Sequence, residues 1–378
     1  MKKILLVLLI LFLFSCTDRS ESADIAINQS EKLVGDFINL IEKDIEADNI
    51  KGSVSLVILN EEEILASNAY GLISPEGQAV ADTSTIYRIG SITKSFTGFL
   101  LLKLQQDGVI NLDDPIEIHL PEIKNLADYD KHPPITFRQL ASHTSGLDRE
   151  SRNRDANFGP VKAWQNKVLN AIPETHYRNA PNERFRYSNI GYALLGLAIS
   201  RVGDQSYIDL VKKEILDPLK MTNTYFEIPE NKKIRLAKGM GGGPTATLDY
   251  ELPLREHEGR GYRIPNGGLY STPNDMAKFM KACMGYSNIL NEESLKALQN
   301  TQTPTKRLRA NYSFGFNLYE DQGINTVGHG GSTPGYSAHF EFEKSSKFGI
   351  IIMRNYNFGN TNLDLRSNAL LRNLTLLE

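Results

Sequence analysis

Segments with the pattern of β-strands lie at both ends of this chain, and a mostly helical, loop-rich stretch from about 95 to 309 separates them. Near the start, residues 52–71 have the pattern of two strands around a glutamate-rich turn. After residue 310, several more segments have the composition of strands. Neither end alone supplies enough strands for a sheet of ordinary size. The sequence therefore predicts one antiparallel sheet built from both chain ends.

Helices at the two ends of the folded part complete the predicted architecture. Apolar residues recur at helical spacing after residue 30 and again in the last segment, 361–377. We expect these two helices to flank the sheet, which gives an α/β fold of the α+β type, with a ligand cleft beside the inserted helical part. The folded domain, 30–378, then divides into a sheet part, at about 30–94 and 310–378, and a helical part, at about 95–309.

The N-terminal residues have the features of a bacterial export signal. Two lysines precede an unbroken apolar run, 4–14, which is too short to span a bilayer. The run leads into the sequence LFSC, which ends at Cys16 and resembles the lipobox of bacterial lipoproteins. This resemblance implies a signal peptide at 1–15, a lipid on Cys16 and a polar tether at 16–29. The lipid would anchor the protein to a membrane of the bacterial cell envelope, in the periplasm or on the outer surface. The alternative is a plain secretory signal that is cut elsewhere.

Charge and cysteine content argue against a nucleic-acid partner and against a disulfide. The 378 residues carry a net charge of −3 and no run of basic residues, so we expect no nucleic-acid partner. The chain has 2 cysteines, and Cys283 has no partner once Cys16 carries a lipid, so we expect no disulfide within the chain. Cys283 is predicted to be a buried, apolar helix residue.

Ser91 and Lys94 form the only S-x-x-K sequence in the chain. They open a predicted amphipathic helix that follows a strand and Gly90, and their spacing places them on one face of it. A helix N-terminus favours developing negative charge, so the pair has the composition of a nucleophile and its base. The alternative is that Ser91 merely caps the helix.

Two further elements extend this pair to a known pattern. The tripeptide YSN at 187–189 precedes a predicted helix, and the tetrapeptide HGGS at 329–332 begins a predicted strand. In order and context, the three elements resemble the signatures of the serine β-lactamase and penicillin-binding-protein superfamily. The tyrosine matches the class C β-lactamases and their relatives, the DD-peptidases, D-aminopeptidases and family VIII esterases. The resemblance extends over roughly 30–378 and implies the fold described above.

The resemblance assigns a role to each residue. It implies that Ser91 attacks a carbonyl group and forms an acyl-enzyme, with Lys94 and Tyr187 acting jointly as the proton-transfer pair. Desolvation would lower the pKa of Lys94 and so favour its neutral form. Asn189 is expected to hold the substrate or to orient Lys94. The backbone N–H groups of Ser91 and Ser332 are expected to bind the oxyanion.

The third element departs from the β-lactamase pattern. β-Lactamases carry a lysine and a threonine or serine at the positions of His329 and Gly330, where these side chains bind the carboxylate of the antibiotic. Histidine and glycine weaken that anchor. His329, Gly330 and Gly331 still form the predicted substrate-binding strand, where the glycines let a substrate lie along the edge.

The pattern therefore favours an ester or a peptide-like amide as substrate, including one with a D-residue. The first alternative is a β-lactamase or DD-carboxypeptidase activity. The second is a penicillin-recognising sensor or binding module with little or no turnover.

No cofactor is implied by this chemistry. The sequence contains no H-E-x-x-H, and its seven histidines are scattered, so we expect no metal site. His143 is predicted to brace a turn rather than to act as a base. The absence of G-x-S-x-G counts against the α/β-hydrolase fold. The predicted protein is a cofactor-free serine hydrolase whose partners are a small-molecule or peptide substrate and a membrane.

Overall fold

The computed structural model of the chain describes residues 28–242, 249–304, 311–359 and 361–377. The predicted signal peptide, 1–15, and Cys16 lie outside these residues. The tether predicted at 16–29 lies outside them up to residue 27, and its last two residues already belong to the first helix, α1, at 28–48. No helix in the described part of the chain is long and apolar enough to cross a membrane.

A seven-stranded antiparallel sheet, counted over the described residues, is built from both chain ends and confirms the predicted fold class. Its order is β2-β1-β9-β8-β7-β6-β5. The strands are β1 (Ser53–Leu59), β2 (Ile64–Gly71), β5 (Asn311–Tyr312), β6 (Asn317–Asp321), β7 (Ile324–Thr333), β8 (Tyr336–Glu343) and β9 (Gly349–Arg354). A separate two-stranded sheet pairs β3 (Tyr87–Arg88) with β4 (Tyr270–Ser271).

The pairing of β1 with β9 joins the two ends of the chain. It runs from Val54 opposite Arg354 to Leu59 opposite Gly349. Every residue of β1 is buried, because the strand is central and both of its faces are covered. The apolar side chains that alternate along β1 pack on one face, and Val57 packs on the other.

Two layers of helices cover the sheet. On one face lie α1 and the C-terminal helix α11 (Leu363–Thr375), which pack on β1 and β9 through a shared apolar cluster. On the other face lie α2 (Thr93–Gln106) and α9 (Pro273–Met284), with the rest of the helical region beyond them. That region contains α3 (Phe137–Ala141), α4 (Trp164–Ala171), α5 (Asn189–Val202), α6 (Tyr207–Val211), α7 (Glu251–His257), α8 (Ile264–Gly267) and α10 (Glu292–Leu298).

The helix α2 is buried on nearly all sides, so the prediction of an amphipathic helix was wrong. Its apolar residues pack against α9, where the rings of Phe96 and Phe279 stack 3.8 Å apart. Its buried polar residues bind backbone carbonyl groups of both the sheet part and the helical part. Ser95 donates to the carbonyl oxygen of Gly315 and Thr97 to that of Pro265, both at 2.6 Å. Cys283 is free and buried in α9, as predicted.

Candidate active site

Ser91 lies in a short 3-10 turn, Gly90–Ile92, between β3 and α2. Gly90 adopts a φ of 52°, a left-handed conformation that favours glycine. The side chain of Ser91 is half-buried and lines a cleft of about 680 Å³. No side chain caps the turn or α2, so the reading of Ser91 as a helix cap is excluded.

Lys94 is fully buried directly behind Ser91. Its Nζ donates to Ser91 Oγ at 3.2 Å and to the carbonyl oxygen of Asn266 at 2.9 Å. Burial lowers the pKa of Lys94 well below its usual value, and Glu150 opposes that shift only in part. Both acceptors are neutral, and no carboxylate among the described residues forms an ion pair with the amine.

Tyr187 completes a three-residue cluster at the floor of the cleft. It lines the cleft together with Ser91, and Lys94 Nζ lies 4.8 Å from the centre of its ring. Burial raises the pKa of Tyr187 to about 12, so the phenol stays protonated near neutral pH. His143 braces this segment, as predicted, because its Nδ1 accepts the N–H of Ser188 at 3.1 Å and its ring lies 4.2 Å from that of Tyr187.

Asn189 begins α5 beside this cluster, but its amide is already engaged. Its Nδ2 donates to Glu150 Oε1 at 2.5 Å. Glu150 also accepts the hydroxyl of Tyr262 and lies 3.4 Å from Arg263. Burial alone would raise the pKa of Glu150, yet Arg263 and these hydrogen bonds hold it below its usual value.

Sequence reasoning missed Glu150 because no local pattern identifies it. It lies 39 residues from Asn189 and 112 from Tyr262, and only the fold brings the three together. The carboxylate fixes the orientation of Asn189 and leaves the amide oxygen of Asn189 without a partner among the described residues. Because this oxygen is buried and Asn189 does not line the described cleft, the roles of Asn189 in holding a substrate or orienting Lys94 stay predictions.

Strand β7 forms the opposite wall of the cleft. In the described part of the chain, β6 pairs only with 324–328, so the edge of 329–333 on that side is left unpaired. A Cβ on Gly331 would overlap the carbonyl oxygen of Ile89, which means that glycine alone allows β7 to lie against the turn of Ser91. The backbone N of Ser332 lies beside Gly90. The oxyanion-binding role of Ser91 and Ser332 stays a prediction.

His329 is neutral in this wall. Its Nδ1 contacts the carbonyl oxygen of Gly330 at 2.6 Å, so Nδ1 carries the proton, and its Nε2 accepts the hydroxyl of Tyr312 at 3.1 Å. Burial and the nearby Lys94 lower its pKa to about 3. His329 therefore brings no positive charge to the position where β-lactamases carry a lysine.

Arg149 brings a positive charge to the mouth of the cleft. It is exposed, lines the cleft, and its guanidinium lies 4.9 Å from the centre of the Tyr187 ring. Its charge adds to the lowering of the Lys94 pKa and opposes the rise that burial causes in the pKa of Tyr187. Arg149 was also missed at the level of sequence.

The chain is similar to known proteins over most of its length. The model of the family described as Beta-lactamase matches residues 37–373. "Protein flp" of Staphylococcus aureus (strain N315) is 28% identical over 333 residues, covering 86% of this chain and 64% of that protein. "Beta-lactamase-like protein 4" of Dictyostelium discoideum is 29% identical over 370 residues, covering 89% and 63%. The chain thus spans somewhat less than two thirds of the length of these curated relatives.

Solved structures give the same result at the level of the fold. An octameric penicillin-binding protein homologue from Pyrococcus abyssi superposes with a TM-score of 0.75 at 25% identity, covering 91% of this chain and 77% of that chain. A class C β-lactamase superposes equally well, with a TM-score of 0.75 at 19% identity, covering 91% and 96%. Since the family model extends over almost the whole described fold, the chain belongs to the beta-lactamase family, within the serine β-lactamase and penicillin-binding-protein superfamily.

Proposed function

We propose that the protein is a serine hydrolase that acts through an acyl-enzyme on esters or peptide-like amides, including amides with a D-residue. The observation that carries this proposal is the contact between Nζ of the fully buried Lys94 and Oγ of the half-buried Ser91, at 3.2 Å. A buried amine with a lowered pKa and only neutral acceptors can accept the proton of a serine hydroxyl.

The proposed reaction uses three side chains and two backbone groups. Ser91 Oγ attacks the carbonyl carbon while its proton passes to Lys94, with Tyr187 bridging. The negative charge that develops on the carbonyl oxygen is stabilised by the N–H groups of Ser91 and Ser332. Collapse of the tetrahedral intermediate breaks the bond to the leaving group, which takes a proton through the hydroxyl of Tyr187. A water then attacks the acyl-enzyme by the same steps and restores Ser91.

The neutral state of His329 supports esters and amides rather than β-lactams as substrates. A β-lactamase binds the antibiotic carboxylate with a cation at this position of the strand, whereas His329, with a pKa lowered to about 3, is uncharged near neutral pH. Gly330 likewise offers no hydroxyl. The free edge of 329–333 suits an extended, peptide-like acyl group, because it leaves backbone groups available for pairing.

We propose further that Cys16 carries a lipid and anchors the enzyme in the bacterial cell envelope. The support is the charged start, the apolar run 4–14 and the following LFSC sequence. Metabolic labelling with a clickable palmitate in a bacterial host should label the protein and should not label Cys16→Ala. Equal labelling of the two proteins would contradict the anchor.

The serine mechanism is tested by stopped-flow hydrolysis of a p-nitrophenyl ester. We expect a burst of p-nitrophenol near one equivalent, and no burst from Ser91→Ala, because only an acyl-enzyme releases the phenol ahead of turnover. Ser345→Ala is the matched control, since Ser345 is exposed on the turn between β8 and β9. Equal inertness of the parent and Ser91→Ala would contradict the proposal and favour a binding module.

A further inference from the structure

A second buried histidine, His339, lies in the same cleft as Ser91. It stands on β8 directly opposite Gly330 of β7, and only 3% of it is exposed. The described cleft extends from Ser91 past Gly330 to His339 and then to the first turn of α11. Neither the sequence pattern nor the proposed mechanism uses His339.

His339 lies between two carboxylates, one at each ring nitrogen. Its Nε2 is 3.1 Å from Glu341 Oε2, and its Nδ1 is 3.5 Å from Asp364 Oδ1. A histidine, a glutamate and an aspartate are also residue types that bind metal ions, and His339, Glu341 and Asp364 form such a group. One ligand atom from each of the three residues lies within 4.8 Å of the others, but the two carboxylates make their closest contacts with opposite ring nitrogens. The arrangement instead fits an imidazolium with two N–H donors.

The two carboxylates hold His339 with different strength. Glu341 is fully buried and is fixed by the amide of Asn368, at 3.0 Å and 3.1 Å, and by the hydroxyl of Thr326. Asp364 is 47% exposed, and its distance of 3.5 Å from Nδ1 exceeds that of a hydrogen bond. The Nδ1–H is therefore the side of the imidazolium on which a ligand can replace the present neighbour.

Gly330 gives a ligand access to this Nδ1–H. A Cβ built on Gly330 would lie 3.7 Å from His339 Nδ1 and would touch nothing closer, so a longer side chain would extend over the imidazole. On β9, Ile352 lies opposite His339, and the charged Arg354 lies two residues further along the same strand. Burial alone would lower the pKa of His339, but Glu341 and Asp364 outweigh it and hold the pKa above its usual value.

We propose that His339 is a specificity-determining residue whose Nδ1–H binds a carboxylate of the substrate in place of Asp364. This inference rests on the proposed function and names its substrate class: esters or amides that carry a carboxylate beyond the scissile bond. The anion anchor thus lies on β8 and reaches the substrate across Gly330, while His329 on β7 stays neutral. Arg149 and Arg354, which also line the cleft, add to its positive charge.

The test compares two substrates that differ by one charge, 3-acetoxybenzoate and its methyl ester. At pH 6, the ratio of their kcat/KM values should fall about tenfold in His339→Gln, mainly through KM, because one charge-assisted hydrogen bond is lost. Because both substrates are measured with the same protein sample, a lower fraction of folded protein does not change the ratio. In the parent, the ratio should also fall as the pH rises through the pKa of His339, and in His339→Gln it should be flat.

Asp364→Asn provides a second test if His339→Gln does not fold. We expect this variant to fold, because Asp364 is half-exposed and Glu341 stays in place. We expect this variant to raise the ratio at pH 6, since it removes the anion that competes with the substrate. Asp217→Asn is the charge-matched control, exposed and paired with Lys212 in the helical region.

Each remaining outcome overturns a defined part of the argument. If the parent shows an ester burst but its ratio equals that of His339→Gln and of Asp364→Asn, the anchor is wrong and the serine mechanism stands. If neither ester is hydrolysed and no burst occurs, the proposed function fails, and the anchor fails with it.

Discussion

Two buried histidines on one β-hairpin have opposite electrostatic environments. His329 on β7 faces Lys94 and the hydroxyl of Tyr312, and its pKa is lowered to about 3. His339 on β8 faces Glu341 and Asp364, and its pKa is raised. Both side chains are 3% exposed, so burial is the same for the two, and the difference comes from the charges on the two faces of the hairpin.

The comparison shows how one sheet separates a proton-transfer site from a charged site. On the Ser91 face, the acceptors of Lys94 are neutral and the neighbouring histidine is neutral, so the amine can lose its proton. On the α11 face, carboxylates raise the pKa of His339 and so favour its charged form. The two sites are divided by the backbone of β7, where Gly330 and Gly331 point to opposite faces.

Lys94→Arg should have the largest effect on activity. A guanidinium does not lose its proton near neutral pH, so it cannot accept the proton of Ser91. We expect kcat/KM for a p-nitrophenyl ester to fall about 10³-fold. In the parent, activity should be lost as the pH falls through the lowered pKa of Lys94, since protonation removes the base. Lys103→Arg, on the solvent side of the same helix, is the control. Near-parental activity of Lys94→Arg would disprove proton transfer to Lys94.

Replacing Gly331 or Gly330 by alanine should have different effects, because the two residues point to opposite faces of β7. In Gly331→Ala the Cβ would overlap the Ile89 carbonyl, pushing β7 away from the turn of Ser91, so we expect a burst rate about 10²-fold lower and about 1–3 kcal/mol less stability. In Gly330→Ala the Cβ fits, and both quantities should stay near parental values. Thermal unfolding and stopped-flow bursts measure the pair. An equal effect of the two variants would contradict the assignment of faces.

The sequence was sufficient to predict those site residues that are close together along the chain or that belong to short motifs. Ser91 and Lys94 are three residues apart, so helical geometry alone places them together. The sequence also predicted that both chain ends join in one sheet, because neither end alone has enough strands for a sheet of ordinary size. The predicted amphipathic α2 was wrong, since Ser95 and Thr97 look solvent-exposed in sequence and yet bind backbone carbonyls of a distant segment.

The charged groups that tune the site could not be predicted. Glu150 acts on Lys94 through space, and its partner Tyr262 is 112 residues away. Asp364 reaches His339 only because the fold places the first turn of α11 beside β8. The alternation along a strand indicates which residues share a face, but it does not show which charges the neighbouring elements bring to that face.

The two histidines should also give opposite dependences of stability on pH. His329 gains a proton on unfolding below its unfolded pKa of about 6.5, so it lowers stability by about 1.4 kcal/mol per unit as the pH falls toward 3. Relative to the parent, His329→Asn should therefore gain about 2 kcal/mol between about pH 8 and about pH 5. His339, whose folded pKa is raised, stabilises the fold below its unfolded pKa and loses that contribution as the pH rises through the folded value. His339→Gln should thus cost more at the lower pH.

Urea denaturation at the two pH values measures both differences, with His119→Gln as a control outside the hairpin. The same sign for His329→Asn and His339→Gln would show that the two faces do not differ in charge as described.

The smallest expected effect concerns two charges that act on Lys94 in opposite directions. Glu150 raises the pKa of Lys94 and Arg149 lowers it. Glu150→Gln should therefore move the acid limb of the pH–kcat/KM profile to lower pH, and Arg149→Gln should move it to higher pH. The shift from Arg149→Gln should be the smaller, because solvent screens an exposed guanidinium. Glu293→Gln, exposed in α10, serves as the control. Shifts in the same direction would mean that the limb reports neither Lys94 nor Tyr187, because Glu150 and Arg149 act on the pKa of Tyr187 in the same opposite senses.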